Sequence, residues 1–218
     1  MIKLLIFDLD GTLINSIEDL ALAANYALKM NGFPVHDTDK FYYFVGNGIQ
    51  KLIERAVPEN TDKDVIMKVK NDFSDYYNLH YIDKTKPYDG ITTLIEELKN
   101  KDVKTAVASN KPDVFTKIIV SHFFENSFNF VQGQKEDIPK KPSPEIVYSI
   151  LNELKISKED AVFVGDSDVD IFTAKNSGIK SIGCLWGFRT KEELQNAGAD
   201  YIIAHPNEIL YILNREES

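Results

Sequence analysis

Apolar residues along this 218-residue chain recur in two rhythms, and the switch between them divides the sequence. Short apolar runs bounded by Gly, Asp or Asn read as buried strands, whereas apolar positions three and four apart read as one face of a helix. Leu4–Phe7 is the first such run and stops at Asp8. Val103–Ala108 is a second, Pro112–Val120 follows with helical spacing, and Asn129–Gln132 reads as a further short strand. Ile146, Val147, Ile150, Leu151 and Leu154 form a helical stripe within 144–154. Ala161–Val164 then ends at Gly165, and Ile171–Ser177 reads as a helix stopped by Gly178 as its C-terminal cap. Ile179–Gly183 and Asp200–Ile203 are two more strands, and Asn207–Leu213 closes the chain as a helix. Such alternation predicts an α/β fold, a parallel sheet with helices on both faces.

Residues 15–84 break the alternation. Ser16 is suited to cap a helix whose face carries Leu20, Ala23, Ala24, Ala27 and Leu28. Ile49–Val57 and Val65–Tyr81 are also helical in pattern, with no convincing strand between them. The expectation is an inserted helical segment over 15–84, and a sheet domain built from 1–14 and 85–218, with Pro87 and Gly90 marking the return. Phe41, Tyr42, Tyr43 and Phe44 read as core of the insertion. Gly46 and Gly48 suit either a close backbone approach to a ligand or a plain turn.

Composition narrows the function. A hydrophobic content of 43% supports a sizeable core, and the net charge of −9 has no basic block to offset it, which argues against a nucleic-acid partner. Cys184 is the single cysteine, so no intramolecular disulfide forms and an intracellular compartment is favoured. No run approaches the roughly 20 apolar residues of a membrane span, and the first apolar run is too short for a signal peptide. The expectation is a cytoplasmic protein without a membrane partner; the sequence specifies no oligomeric state.

Polar groups collect where the strands end. Asp8 and Asp10 follow the first strand, and ligands of open α/β sheets sit beyond such strand ends. Thr12 adds a hydroxyl and an N–H suited to an anionic oxygen. Ser109-Asn110-Lys111 follows the second strand, where a serine beside backbone N–H groups can hold a phosphate oxygen or simply begin a helix. Lys141, flanked by Pro142 and Pro144, can neutralise an anion or stand solvated on the surface, and spacing alone does not choose between it and Lys140. Gly165-Asp166-Ser167-Asp168-Val169-Asp170 ends the 161–164 strand without the glycine and glutamate of an EF-hand calcium loop. A helix starting near Asp168 would aim Asp170 at the site and Asp168 toward solvent. Asp8, Asp10, Asp166 and Asp170 on one sheet edge would repel by roughly 4 kcal/mol per pair at 4 Å and an effective dielectric of 20. A divalent cation resolves that repulsion, and an all-oxygen set selects Mg²⁺ over Zn²⁺. His36, His80, His122 and His205 have no metal-ligand spacing, and Trp186 and Phe188 beside Gly187 suit packing under a loop more than lining the site entrance.

DLDGT at 8–12, SN at 109–110, Lys141 and GDSDVD at 165–170, in that order, resemble the four motifs of the haloacid dehalogenase superfamily of phosphatases. The resemblance implies a Rossmann-like core with a type-one helical cap over 15–84. Phe44-Val45-Gly46-Asn47-Gly48, Ser16 to Leu20, and Asn110-Lys111-Pro112 are similar to elements of its phosphoglycolate phosphatases. By that resemblance Asp8 is the nucleophile that forms an aspartyl-phosphate, and Asp10 is the general acid and then the base. Asp8, Asp166 and the carbonyl of Asp10 bind Mg²⁺, with Asp170 in support. Thr12, Ser109, Asn110 and Lys141 bind the phosphoryl group, and Gly46, Asn47 and Gly48 of the cap select the substrate. Asn15 departs from the family's usual Asp, at the cap hinge rather than in the chemistry.

The expected function is hydrolysis of small phosphorylated metabolites, 2-phosphoglycolate among them. A pyrophosphatase, a nucleotide monophosphatase and a non-catalytic phosphate-ligand binder are the alternatives. A dehalogenase would lack the second acid, and a β-phosphoglucomutase cap would carry a His and an Arg that 16–31 lacks. A phosphonatase would need a cap lysine, for which Lys29 and Lys51 are available.

Overall fold

A computed structural model describes residues 1–216. In chain order the strands are β1 (Leu4–Phe7), β2 (Ile14–Asn15), β3 (Lys86–Pro87), β4 (Lys104–Pro112), β5 (Phe130–Gln134), β6 (Ala161–Gly165), β7 (Lys180–Cys184) and β8 (Tyr201–Ile203). The helices are α1 (Ile17–Met30), α2 (Thr38–Phe44), α3 (Ile49–Ala56), α4 (Lys63–His80), α5 (Ile91–Asn100), α6 (Asp113–Phe124), α7 (Glu145–Leu154), α8 (Asp168–Ser177), α9 (Lys191–Ala197) and α10 (Glu208–Glu216). The chain forms two compact units, Met1–Ile14 with the chain from Pro87 onward, and Asn15–Lys86. The second crossing falls two residues beyond the boundary expected at 84 and 85.

The first unit is built on a six-stranded sheet in the order β5-β4-β1-β6-β7-β8, parallel at every pairing. Alternation along the strands sends side chains to opposite faces, and both are covered. Leu4, Ile6, Ala106, Ala108, Ala161 and Phe163 pack on one side against Ile146, Val147, Ile150 and Leu151 of α7 and Ala174 of α8. On the other, the Phe7 ring meets Phe128 edge-on at 6.3 Å, and Phe128 meets Phe124 of α6 at 5.6 Å. β1 lies between β4 and β6, so the connections diverge on either side of it. That is the switch point at which open α/β sheets leave a crevice beyond the strand ends.

The second strand of the pattern, expected to stop at Ala108, continues as β4 to Pro112 through an irregularity. Ala108 pairs with Gln132 and Pro112 with Gln134, so Ser109, Asn110 and Lys111 stand against the single residue Gly133. A bulge of this kind breaks the two-residue alternation and re-aims side chains. All three are buried as a result. Gly133 is needed there: a Cβ would lie 2.6 Å from the carbonyl oxygen of Lys111 and would overlap Thr116 Oγ1.

The second unit is helical, and α1 packs on α4. The predicted face of α1, from Leu20 to Leu28, is buried, and α4 buries Val69, Phe73 and Tyr77 at helical spacing. Of the aromatic cluster assigned to the core, Phe41 is fully buried, whereas Tyr43 is exposed. Arg55 of α3 donates to the carbonyls of Tyr43 and Phe44 and, at 2.8 Å, to Asn47 Oδ1, which ties down the turn carrying Gly46, Asn47 and Gly48. His36 bonds the Ala56 carbonyl through Nε2, a structural use that agrees with its lack of metal-ligand spacing.

Candidate active site

The site is built at the carboxyl ends of β1, β4, β5, β6 and β7. Asp8 extends β1 by one residue, its N–H donating to the Val164 carbonyl of β6 at 2.9 Å. Both the Leu9 N–H, at 2.7 Å, and Lys141 Nζ, at 2.9 Å, engage Oδ1 of Asp8. Among the described residues nothing bonds Oδ2, so one carboxylate oxygen keeps its lone pairs available. The turn that follows is tight: the N–H of Gly11 donates to the Ile14 carbonyl, and Gly11 has φ of +89°. Any side chain at Gly11 would overlap the Asp166 carboxylate, so glycine is what lets the β1 and β6 loops meet.

Asp166, the residue after β6, accepts from Thr12 Oγ1 at 3.2 Å and from the Phe188 N–H at 2.8 Å. Asp170, in the first turn of α8, accepts from the N–H and hydroxyl of Ser167 through Oδ2 and from Lys141 Nζ through Oδ1 at 2.8 Å. Asp168 is half-buried. Asp8, Asp166 and Asp170 bring ligand atoms within 4.8 Å of one another and could hold a metal ion. Both oxygens of Asp170 are already engaged, which suits support of the site better than direct ligation. The donor set is all oxygen, fitting a hard cation.

Electrostatics point the same way. Lys141 pairs with Asp8 and Asp170, and Asp166 adds a third carboxylate to the same buried cluster, so the acids there outnumber the one ammonium among them. Burial, and then the charge of Asp170, push the Asp8 carboxyl up to about 7 against the opposing pull of Lys141. Asp166 is pushed up to about 8 by burial, then by Asp170 and Asp8. Burial alone would lower Lys141, but Asp170 and Asp8 outweigh it and hold its ammonium above the usual range. The field also reaches Cys184, whose buried thiol is raised by burial and then by the same carboxylates. A divalent cation would remove the conflict.

The remaining expected residues divide by task. Ser109 Oγ accepts from the Lys111 N–H at 3.2 Å, which leaves the hydroxyl proton to donate to an anionic oxygen. The Asn110 amide engages the backbone of Lys141 at both ends, accepting from its N–H at 2.9 Å and donating to its carbonyl at 3.1 Å. Asn110, expected to bind phosphate, thus fixes the lysine that faces Asp8. Lys141 is buried whereas Lys140 is exposed, and so the structure separates two neighbours that spacing leaves equivalent. The Thr12 hydroxyl is engaged with Asp166, and its N–H makes a long 3.3 Å bond to the Leu9 carbonyl. Gly46, Asn47 and Gly48 lie in the helical unit.

Two contributors go beyond the expected set. The loop after β7 supplies the Phe188 N–H to Asp166, and the Trp186 indole donates to the Thr12 carbonyl at 2.9 Å. The main-chain contact leaves no mark in sequence. Lys111 does leave one: it follows Ser109-Asn110 directly, and its Nζ lies 3.1 Å from both oxygens of Asp10.

Comparison with known proteins decides the family, because the haloacid dehalogenase-like hydrolase profile matches residues 5–184. The chain belongs to the haloacid dehalogenase-like hydrolase family. It is similar to the phosphoglycolate phosphatase of Colwellia psychrerythraea, 32% identical with 98% of this chain and 97% of the relative covered. It is also similar to that of Aquifex aeolicus, 31% identical with 97% of each covered. Among solved structures of such hydrolases, a predicted phosphoglycolate phosphatase of Haemophilus somnus superposes with a TM-score of 0.91 at 30% identity, covering 97% of this chain and 98% of that one. CbbY of Rhodobacter sphaeroides, solved in complex with phosphate, superposes with a TM-score of 0.76 at 25% identity, with 96% of each chain covered. Among the described residues of this family member no helix is long and apolar enough to cross a membrane.

Proposed function

We propose that this hydrolase cleaves small phosphate monoesters, 2-phosphoglycolate first among them, through an aspartyl-phosphate on Asp8, and does so in the cytoplasm. The observation that carries the reading is Asp8 itself: a buried carboxylate at the switch point, one oxygen held by Lys141 and Leu9 and the other, among the described residues, without a hydrogen bond. The parallel-sheet unit is the catalytic core, and the helical segment 15–84 is the cap whose Gly46, Asn47 and Gly48 select the ester.

Asp8 attacks phosphorus; the Asp8–phosphorus bond forms as the bond to the leaving oxygen breaks, and Asp10 gives that oxygen its proton. Water then attacks phosphorus, Asp10 takes up the water's proton, and the Asp8–phosphorus bond breaks. The Ser109 hydroxyl and Thr12 hold phosphoryl oxygens, Lys141 balances charge on Asp8 and phosphate, and Asn110 keeps Lys141 in register. Mg²⁺ would be held by Asp8, Asp166 and the Asp10 carbonyl, where it supplies charge neutralisation to phosphate and carboxylates. The raised carboxyls of Asp8 and Asp166 support that assignment, since a protonated Asp8 is no nucleophile.

Purified protein assayed against a panel of phosphorylated metabolites, with and without chelator, tests the reading. The expected result is Mg²⁺-dependent release of phosphate, fastest from 2-phosphoglycolate. Preference for pyrophosphate or a nucleoside monophosphate would move the substrate and keep the chemistry. Binding without turnover of any ester would overturn the proposal, as would full activity in chelator.

A further inference from the structure

The bulge in β4 brings a second ammonium to the site. Lys111 is buried, its side chain 4% exposed, and its Nζ lies 3.1 Å from each oxygen of Asp10, 101 positions earlier in the chain. A bond to one oxygen would let a carboxylate turn about its broad terminal torsion; bonds to both fix the plane of the group. Lys141 pairs instead with Asp8 and Asp170, so the two lysines serve different acids of the site. Nothing local accounts for the Lys111 contact. It exists because three residues of β4 stand against Gly133.

We propose that Lys111 is a positioning residue that sets the orientation of the Asp10 carboxylate for its two proton transfers. The inference rests on the acid–base reading of Asp10. It has a consequence that a merely structural tie between β4 and the β1 loop lacks. A p-nitrophenolate leaves without a proton, whereas an alkoxide does not, so misplacing Asp10 penalises the first half-reaction only for alkyl esters.

The test compares an alkyl phosphate with p-nitrophenyl phosphate in wild type, Lys111→Met and Lys111→Gln. In Lys111→Met, kcat/KM for the alkyl ester is expected to fall at least about tenfold more than kcat/KM for the aryl ester. KM should stay within about threefold, and kcat for the aryl ester should also fall, because hydrolysis of the aspartyl-phosphate still needs Asp10 as base. Lys111→Gln, which retains N–H donors without the charge, should fall between. Equal loss of kcat/KM for both esters would overturn the proposal in favour of packing. A KM raised for both would overturn it in favour of direct substrate binding. If Lys111→Met does not fold, Lys111→Gln and Lys111→Arg carry the same comparison, and the same two outcomes overturn the role. Asp10→Asn, run in parallel, separates the two layers. If it too shows no dependence on the leaving group, the acid–base reading of Asp10 fails; if it alone shows one, only the role of Lys111 fails.

Discussion

Each unit of this hydrolase buries a carboxylate, and the two are treated in opposite ways. In the helical unit Asp19, 1% exposed, accepts from the N–H groups of Lys84 and Thr85 and from the Thr85 hydroxyl, at 2.7–3.0 Å. Both of its oxygens are met by neutral donors, and it ties the start of α1 to the segment leading out of the unit. In the sheet unit Asp8 and Asp166 are buried against another carboxylate, and among the described residues Asp8 keeps an oxygen without a hydrogen bond. A buried acid that is fully satisfied holds structure together. One left in electrostatic tension is equipped to receive a cation or a phosphoryl group.

Substitutions should separate the two kinds. The largest effect is expected from Asp8→Asn, which removes the proposed nucleophile: turnover should fall roughly a thousandfold or more while the thermal midpoint of the metal-free protein holds or rises. Near-wild-type phosphate release would remove the assignment. Asp10→Asn should lower kcat by roughly 10²–10⁴ with the fold intact, and an unchanged rate would defeat the proposed acid–base role. Asp19→Ala should reverse the pattern, lowering stability by about 2–3 kcal/mol because the buried N–H and hydroxyl of Thr85 lose their acceptor. Denaturant unfolding measures that loss, and equal stability of the variant would show that other groups satisfy those donors.

The smallest effect is a shift with pH. The carboxyls of Asp8 and Asp166 are raised from 3.8 to about 7 and about 8, so the folded, metal-free chain holds these protons more tightly than the unfolded one. Their stabilising contribution is complete below the unfolded value and is lost as pH rises through this window. Mg²⁺ held by these carboxylates, as proposed, would compete with the same protons, and its gain in melting temperature should therefore be larger near pH 8 than near pH 6. A gain independent of pH would place the ion elsewhere.

Much of this is legible in the chain. The strand ends carrying Asp8, Ser109 and Asp166 stand out because apolar runs stop abruptly there, and the motif order brings in the family. α5 is missing from the predicted elements although Ile91, Leu94, Ile95 and Leu98 carry a helical stripe, and α9 although Thr190 and Glu193 make a capping box. α2 is hidden by its seven-residue length. Other features have no sequence signal. The choice of Lys141 over Lys140 depends on the two-way bond with Asn110, 31 positions away, and the Phe188 N–H is main chain. Lys111 belongs to a visible motif, but its aim depends on a register shift that hydropathy does not report.

That register shift has a reach beyond its own strand. Gly133 sits on the outermost strand of the sheet and carries no reactive group, yet the space it leaves open lets three successive side chains turn inward for three separate duties. A search for influential positions confined to the neighbourhood of the phosphorus atom would pass over it. Mutational surveys of this enzyme should therefore include the sheet margin.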